Sequence, residues 1–116
     1  MFAAYIVVTA VTILASGGIA VADLAPARFV LANMDEVGVP RPWLPRLAVL
    51  KGAAAAGLLL GLLGLRPLGI AAAIGLVLFF TGALATHVRA RVLYNIAFPG
   101  AFFALAAASA ALAVAV

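Results

Sequence analysis

Residues 46–86 read RLAVLKGAAAAGLLLGLLGLRPLGIAAAIGLVLFFTGALAT and contain two long apolar segments with almost no loop between them. The segments cover residues 46–64 and 67–86, and each is close to the roughly 20 residues that cross a hydrocarbon core about 30 Å thick. Only Leu65 and Arg66 separate them, and Pro67 suits the first turn of a helix. The pattern predicts a tight antiparallel hairpin of two membrane-spanning helices.

Two further apolar segments, at residues 2–22 and 97–116, flank this hairpin. Of the 116 residues in the chain, 69% are hydrophobic and only 9% are charged. A water-soluble four-helix bundle needs polar outer faces, and these segments have almost none. The sequence therefore predicts a single all-α domain over residues 1–116, an integral membrane four-helix bundle.

The connection at residues 23–45 is long enough for one more short helix. Within residues 26–37, apolar side chains recur at helical spacing, which predicts an interfacial helix that ends at Gly38. This helix can be a lid over the bundle end or a passive surface helix. After it, we expect residues 40–45 to be extended and Trp43 to lie at headgroup depth as an aromatic anchor. The apolar positions are Phe29, Val30, Met34 and Val37.

The basic residues are concentrated in two connections, at residues 23–45 and 87–96, whereas the other side holds Arg66. The positive-inside rule then places both connections on the cytoplasmic side of a bacterial cytoplasmic membrane, with the two termini outside. The net charge of +4 comes from residues scattered at helix ends. Such a distribution suits anionic lipid headgroups and predicts the lipid bilayer, not nucleic acid, as the partner.

The cysteine and histidine content limits the metal and redox sites that the chain can form. The chain has no cysteine and one histidine, which excludes disulfides, thiol relays and zinc-thiolate sites, and also multi-histidine metal sites within one chain. We therefore expect no metal site.

Polar residues at one membrane level form a candidate catalytic cluster of Asp23, Lys51, His87 and Arg89. Lys51 lies about five residues into its helix, where an unpaired ammonium costs a few kcal/mol, so it should find a partner or reach toward the headgroups. His87 is the candidate proton donor or acceptor because imidazole ordinarily titrates near neutral pH. The alternatives are a helix N-cap for Asp23, a hydrogen-bonded surface histidine, and a headgroup anchor for Arg89.

A second candidate feature is a hydroxyl stripe on the first helix, formed by Tyr5, Thr9, Thr12 and Ser16. These residues fall on one helical face and could bind a ligand together with Trp43. Alternatively, the hydroxyls bond the preceding helical turn or a neighbouring helix.

Small residues recur every four positions in the later helices, as in the pairs Gly57 with Gly61 and Ala71 with Gly75. Such stripes let helices pack closely within one chain or between chains. Because the bundle is slender, we expect a homo-oligomer.

Four segments resemble the DoxX-like family: Ala15-Ser16-Gly17, residues 47–61, Arg66-Pro67-Leu68-Gly69, and residues 80–89, read FTGALATHVR. The resemblance extends from about residue 13 to residue 91 and implies a four-helix membrane fold. Some relatives are named for a subunit of a thiosulfate:quinone oxidoreductase, which implies contact with quinones or membrane redox systems.

Three functions are compatible with these features. The first is a membrane protein that holds a lipophilic ligand, such as a quinone or an isoprenoid, in a pocket at one membrane face. The second is a membrane enzyme for acid–base chemistry on a lipophilic substrate, by isomerisation or epoxide opening. The third is an accessory subunit of a membrane oxidoreductase complex.

Overall fold

A computed structural model of the chain describes residues 1–25 and 27–116, and it confirms the all-α membrane bundle. Four helices are long and apolar enough to cross a membrane, and one short helix follows the first of them. At 1.5 Å per residue, the long helices measure roughly 28–36 Å, which matches a hydrocarbon core. The helices are α1 (Phe2–Leu24), α2 (Arg28–Val37), α3 (Leu44–Leu62), α4 (Arg66–Arg89) and α5 (Ala97–Ala115).

The four long helices form a ring in which α1 packs against α3 and α5, and α4 packs against the same two helices. Because each helix reverses direction relative to the one before it, the bundle is antiparallel throughout. Leu58, Leu76 and Phe80 are buried at its centre together with two alanines, Ala73 and Ala106. The small side chains allow this narrow centre, since they leave little volume to fill between the helix backbones.

The predicted hairpin is held by contact between glycines. A Cβ atom added at Gly61 would lie 2.6 Å from the Cα atom of Gly69, and one added at Gly57 would lie 2.8 Å from the Cβ atom of Ala72. The α3 and α4 backbones therefore touch where the short connection begins. The other predicted stripe lies elsewhere, because Ala71 and Gly75 are exposed on the outer surface of α4. A homo-oligomer packed through that surface stays a prediction.

The polarity of α1 is the reverse of that in a water-soluble helix. Its buried residues are Tyr5, Thr9, Thr12, Ser16, Ala20 and Asp23, whereas Val7, Leu14 and Val21 are exposed. In a bilayer the apolar side chains can face lipid without cost, and polar groups are stabilised where protein partners surround them. The hydroxyl stripe is thus the inner face of the helix.

The short helix α2 lies across the end of the bundle where α1 ends and α3 begins, and we call this the capped end. Val30 and Met34 are buried there against Leu44. Gly38 terminates α2 with a φ of 76°, a left-handed conformation that glycine adopts without strain. The predicted start of this helix at Pro26 lies outside the described residues, and Phe29 is exposed although its spacing grouped it with the buried positions.

The prediction of an extended segment at residues 40–45 was wrong. Arg41–Trp43 forms a 3₁₀ turn that leads directly into α3, which begins at Leu44. Prolines are compatible with this arrangement because the first residues of a helix need no N–H partner, and Pro42 and Pro45 occupy such positions.

Candidate ligand site at the capped end of the bundle

A cavity of about 610 Å³ lies at the capped end, between α2 and the ends of the four long helices. Its volume falls in the range of small-molecule sites, which are mostly apolar with a few polar groups that orient the ligand. The polar side chains on its lining include Asp23, Lys51 and His87, together with Asn33 and Asn95.

Aromatic rings form a continuous wall of the cavity. Phe80 stacks on Phe102 with 5.1 Å between ring centroids, and Phe79 meets Phe80 edge-on at 5.0 Å. The series continues from Phe102 to Phe98 at 5.2 Å and from Phe98 to Phe29 at 6.4 Å. Because these rings come from α4, α5 and α2, the wall joins three elements and presents flat apolar surface to the cavity.

Asp23 and Lys51 form a buried ion pair between the last turn of α1 and the second turn of α3. Their side chains are only 2% and 9% exposed, so neither charge is screened by water. The Lys51 ammonium also lies 5.4 Å from the ring centroid of Phe79, within range of a cation–π interaction. A lone charge at this depth is costly, and the pairing explains how the chain tolerates both groups inside an apolar bundle.

His87 lies in the last turn of α4 and is 3% exposed. Its Nδ1 atom is 3.0 Å from the carbonyl oxygen of Ala83, which also accepts the hydroxyl of Thr86 at 2.7 Å. A carbonyl can only accept, so Nδ1 carries the proton in this arrangement and neutral His87 has its lone pair on Nε2. Nε2 is buried and has no hydrogen-bond partner among the described residues.

Polar contacts connect α2 to the rest of the capped end. Arg41 donates to both carboxylate oxygens of Asp35, at 3.2 and 2.7 Å, and this hydrogen bonding lowers the pKa of Asp35 and raises that of Arg41. The Tyr94 hydroxyl donates to Glu36 at 2.7 Å, which raises the pKa of Tyr94. The amide of Asn95 donates to Asn33 at 3.1 Å. Apart from the Asn33 pair, these bonds are exposed, so they fix the position of α2 more than they add stability.

The structure brings together the residues of the predicted polar cluster around one cavity. Asp23, Lys51 and His87 are buried on its lining, and Arg89 is exposed beside them. Trp43 also lines the cavity and is 52% exposed, as suits a residue at the membrane surface.

The hydroxyl stripe lies apart from this cavity. Thr12 bonds Ser109 of α5 at 2.8 Å and the carbonyl of Val8 in its own helix at 2.8 Å. Since the Thr12 hydroxyl has one hydrogen and donates it to the carbonyl, Ser109 is the donor in the other bond. Thr9 and Ser16 are also buried, and Tyr5 lines a separate cleft at the opposite end. Thr9, Thr12 and Ser16 are therefore part of the helix interfaces within the bundle, whereas Tyr5 lines the cleft.

Sequence reasoning missed the aromatic wall. Phe79 and Phe80 are neighbours in the chain, but Phe98, Phe102 and Phe29 come from other elements. No spacing within one helix groups such residues, because their contacts depend on how the helices pack. Asn33 and Asn95 were missed for the same reason.

Comparison with known proteins agrees with this architecture. Neither a curated protein nor a solved structure matches the chain significantly. The profile of the DoxX-like family matches residues 7–109, which include all four long helices, at least in part, and the cavity between them. The chain is thus an integral membrane protein that belongs to the DoxX-like family.

Proposed function

We propose that this protein holds a lipophilic small molecule in the cavity at the capped end, with the apolar body of the ligand along the aromatic wall. The observation that carries the proposal is the combination of a 610 Å³ apolar cavity with three buried polar side chains on its lining, Asp23, Lys51 and His87. A cavity of this kind selects a ligand with one polar end and a large apolar part. Quinones and isoprenoids have this form.

Two groups can orient the polar end of the ligand. The Lys51 ammonium has three donors, so it can bond a ligand oxygen while it stays paired with Asp23. Neutral His87 can accept a hydrogen bond from a hydroxyl at Nε2 once its side chain turns this atom toward the cavity, because the atom is buried without a partner among the described residues. The ligand enters from the bilayer or beside α2, whose exposed polar bonds can open at little cost.

Trp43 provides a direct test because it is the one tryptophan in the chain and lies on the cavity lining. Titration of the purified protein with a short-chain isoprenoid quinone should quench Trp43 fluorescence with saturation. We expect weaker binding for His87→Ala and for Phe102→Ala, and unchanged binding for the matched control Thr81→Ala. Thr81 is exposed on α4, and its hydroxyl bonds only its own helix.

Linear, unsaturable quenching, or equal affinity in the His87→Ala and Thr81→Ala variants, would contradict the proposal. An organic extract of the purified protein that contains no lipophilic compound beyond bulk lipid, together with unsaturable quenching, would favour the accessory-subunit function.

A second candidate is an enzyme that performs acid–base chemistry on the same class of molecule. The fixed tautomer of His87 favours it, because a buried imidazole with one free nitrogen can accept a proton from a bound substrate. Lys51 could then stabilise negative charge that develops on a substrate oxygen, and Arg89 could do so from the rim. Turnover of a lipophilic epoxide should be lost in His87→Ala and retained in the control Thr81→Ala. Full activity in a variant with both His87→Ala and Lys51→Met would place the reaction outside this polar cluster and would contradict this candidate function.

A further inference from the structure

A second cleft, of about 470 Å³, lies at the end of the bundle opposite α2. Its lining combines two kinds of surface. Phe2, Ile6 and Leu62 are apolar, whereas Tyr5 and Arg66 each bring a polar group. Gly61 and Gly64 complete the lining and leave room at the end of α3. The cleft therefore combines an apolar groove with two polar groups, those of Tyr5 and Arg66, at the end of the bundle.

Tyr5 is held with its ring in the bundle, where only 4% of the residue is exposed. A buried tyrosine usually finds a partner for its hydroxyl. Within the described part of the chain, the structure gives this hydroxyl no hydrogen bond. The tyrosine thus brings a free donor to the cleft that its own chain does not use.

Arg66 supplies positive charge near the Tyr5 ring. Its guanidinium lies 5.8 Å from the ring centroid of Tyr5, within range of a cation–π interaction. In residues 1–25 and 27–116, neither recorded ion pair includes Arg66. Arg66 is also the first residue of α4, a helix start with no side-chain cap and no acidic residue in its first turn. The positive end of the helix dipole is consequently not neutralised there, and it adds to the field of the guanidinium.

We propose that this cleft binds the phosphate of a phospholipid, with Arg66 and the Tyr5 hydroxyl as its two donors and one acyl chain along Phe2 and Ile6. The fork of N–H groups on arginine suits phosphate oxygens, and tyrosine adds a directed hydrogen bond. The apolar part of the lining favours a phosphate that carries a lipid chain over a free one. The site is distinct from the cavity at the capped end and does not depend on its function.

The test is native mass spectrometry of the detergent-purified chain with two probes that share their chains, dioleoyl phosphatidylglycerol and dioleoylglycerol. A hydrogen bond to a charged group contributes about 1.5–3 kcal/mol, so the loss of one donor should weaken phospholipid binding roughly tenfold or more. We expect this loss for Arg66→Gln and for Tyr5→Phe, and tighter binding of the phospholipid than of dioleoylglycerol. Tyr5→Phe keeps the buried ring, so it tests the hydroxyl even if Arg66→Gln perturbs the fold.

Arg28→Gln is the matched control, since Arg28 is an exposed arginine at the capped end. Equal weakening by Arg28→Gln and Arg66→Gln would mean general attraction to headgroups and would overturn the proposal. So would unchanged binding in Tyr5→Phe or equal binding of dioleoylglycerol. Displacement of the lipid by millimolar inorganic phosphate would assign the cleft to soluble phosphate and would also overturn it.

Discussion

Replacement of Lys51 by methionine tests whether the ion pair with Asp23 stabilises the bundle. Methionine keeps most of the volume of the lysine stem, so the change removes charge while the packing around α3 stays similar. The variant leaves the Asp23 carboxylate buried at 2% side-chain exposure with its ammonium partner gone.

The expected cost follows from this burial. Loss of one partner of a buried ion pair destabilises proteins by about 3–5 kcal/mol, because the other charge stays uncompensated. We therefore expect Lys51→Met to lower the free energy of unfolding by about 3–5 kcal/mol.

A double-mutant cycle isolates the pair. Asp23→Asn should lower the free energy of unfolding by a similar amount. The double variant Asp23→Asn, Lys51→Met should lose less stability than the sum of the two single losses, by at least about 2 kcal/mol. The free energy of unfolding would be measured in mixed micelles by denaturant titration at low and high salt. Because both side chains are shielded from water, salt should change the coupling energy little.

Two results would refute this reasoning. Single variants that each cost less than about 1 kcal/mol would mean that the two charges are solvated in the membrane, as exposed pairs are. A coupling energy that disappears at high salt would mean the same.

Three further predictions concern the contact between α3 and α4, the position of α2 and the membrane topology. Gly61→Ala should destabilise the bundle by about 1–3 kcal/mol because its Cβ would meet the backbone of α4. Gly75→Ala should be neutral or stabilising because a Cβ atom there would have no atom within 4 Å. Denaturant titration in micelles distinguishes the two outcomes. The bond from Arg41 lowers the pKa of Asp35, so its contribution to holding α2 is present at neutral pH and is lost as the pH falls through that lowered pKa. Amide exchange of α2, taken relative to the intrinsic rate at each pH, should therefore rise in acid, and Arg41→Gln should remove this dependence. Exchange of α2 that does not depend on pH would contradict the prediction. Single cysteines at positions 41 and 66 should be labelled from opposite sides of the membrane, and labelling of both from one side would contradict the topology. In intact cells, only the cysteine at position 66 should react with an impermeant reagent if the capped end is cytoplasmic as expected.

The burial of α1 shows how far sequence reasoning reached. Thr9, Thr12 and Ser16 could be placed on one face because helical periodicity is a local property of the chain. Whether that face lines a ligand pocket or packs against α5 depends on the position of Ser109, which is 97 residues from Thr12 and has no local relation to it. The same limit applied to Lys51, for which the sequence predicted either a partner or a side chain that reaches toward the headgroups. The packing of α1 on α3 decided for the partner, Asp23.

The sequence by itself determined the number of helices long and apolar enough to span a membrane, the tight hairpin at Arg66 and the end of the bundle at which most charges lie. These features follow from the length, hydrophobicity and charge of successive segments, because the thickness and low polarity of the hydrocarbon core decide which segments can span it. The tertiary structure decided which polar residues meet, that α2 covers a cavity, and that phenylalanines of α2, α4 and α5 form its wall. Contacts between helices depend on small differences in side-chain shape along nearly uniform apolar surfaces, so only the packed bundle could assign them.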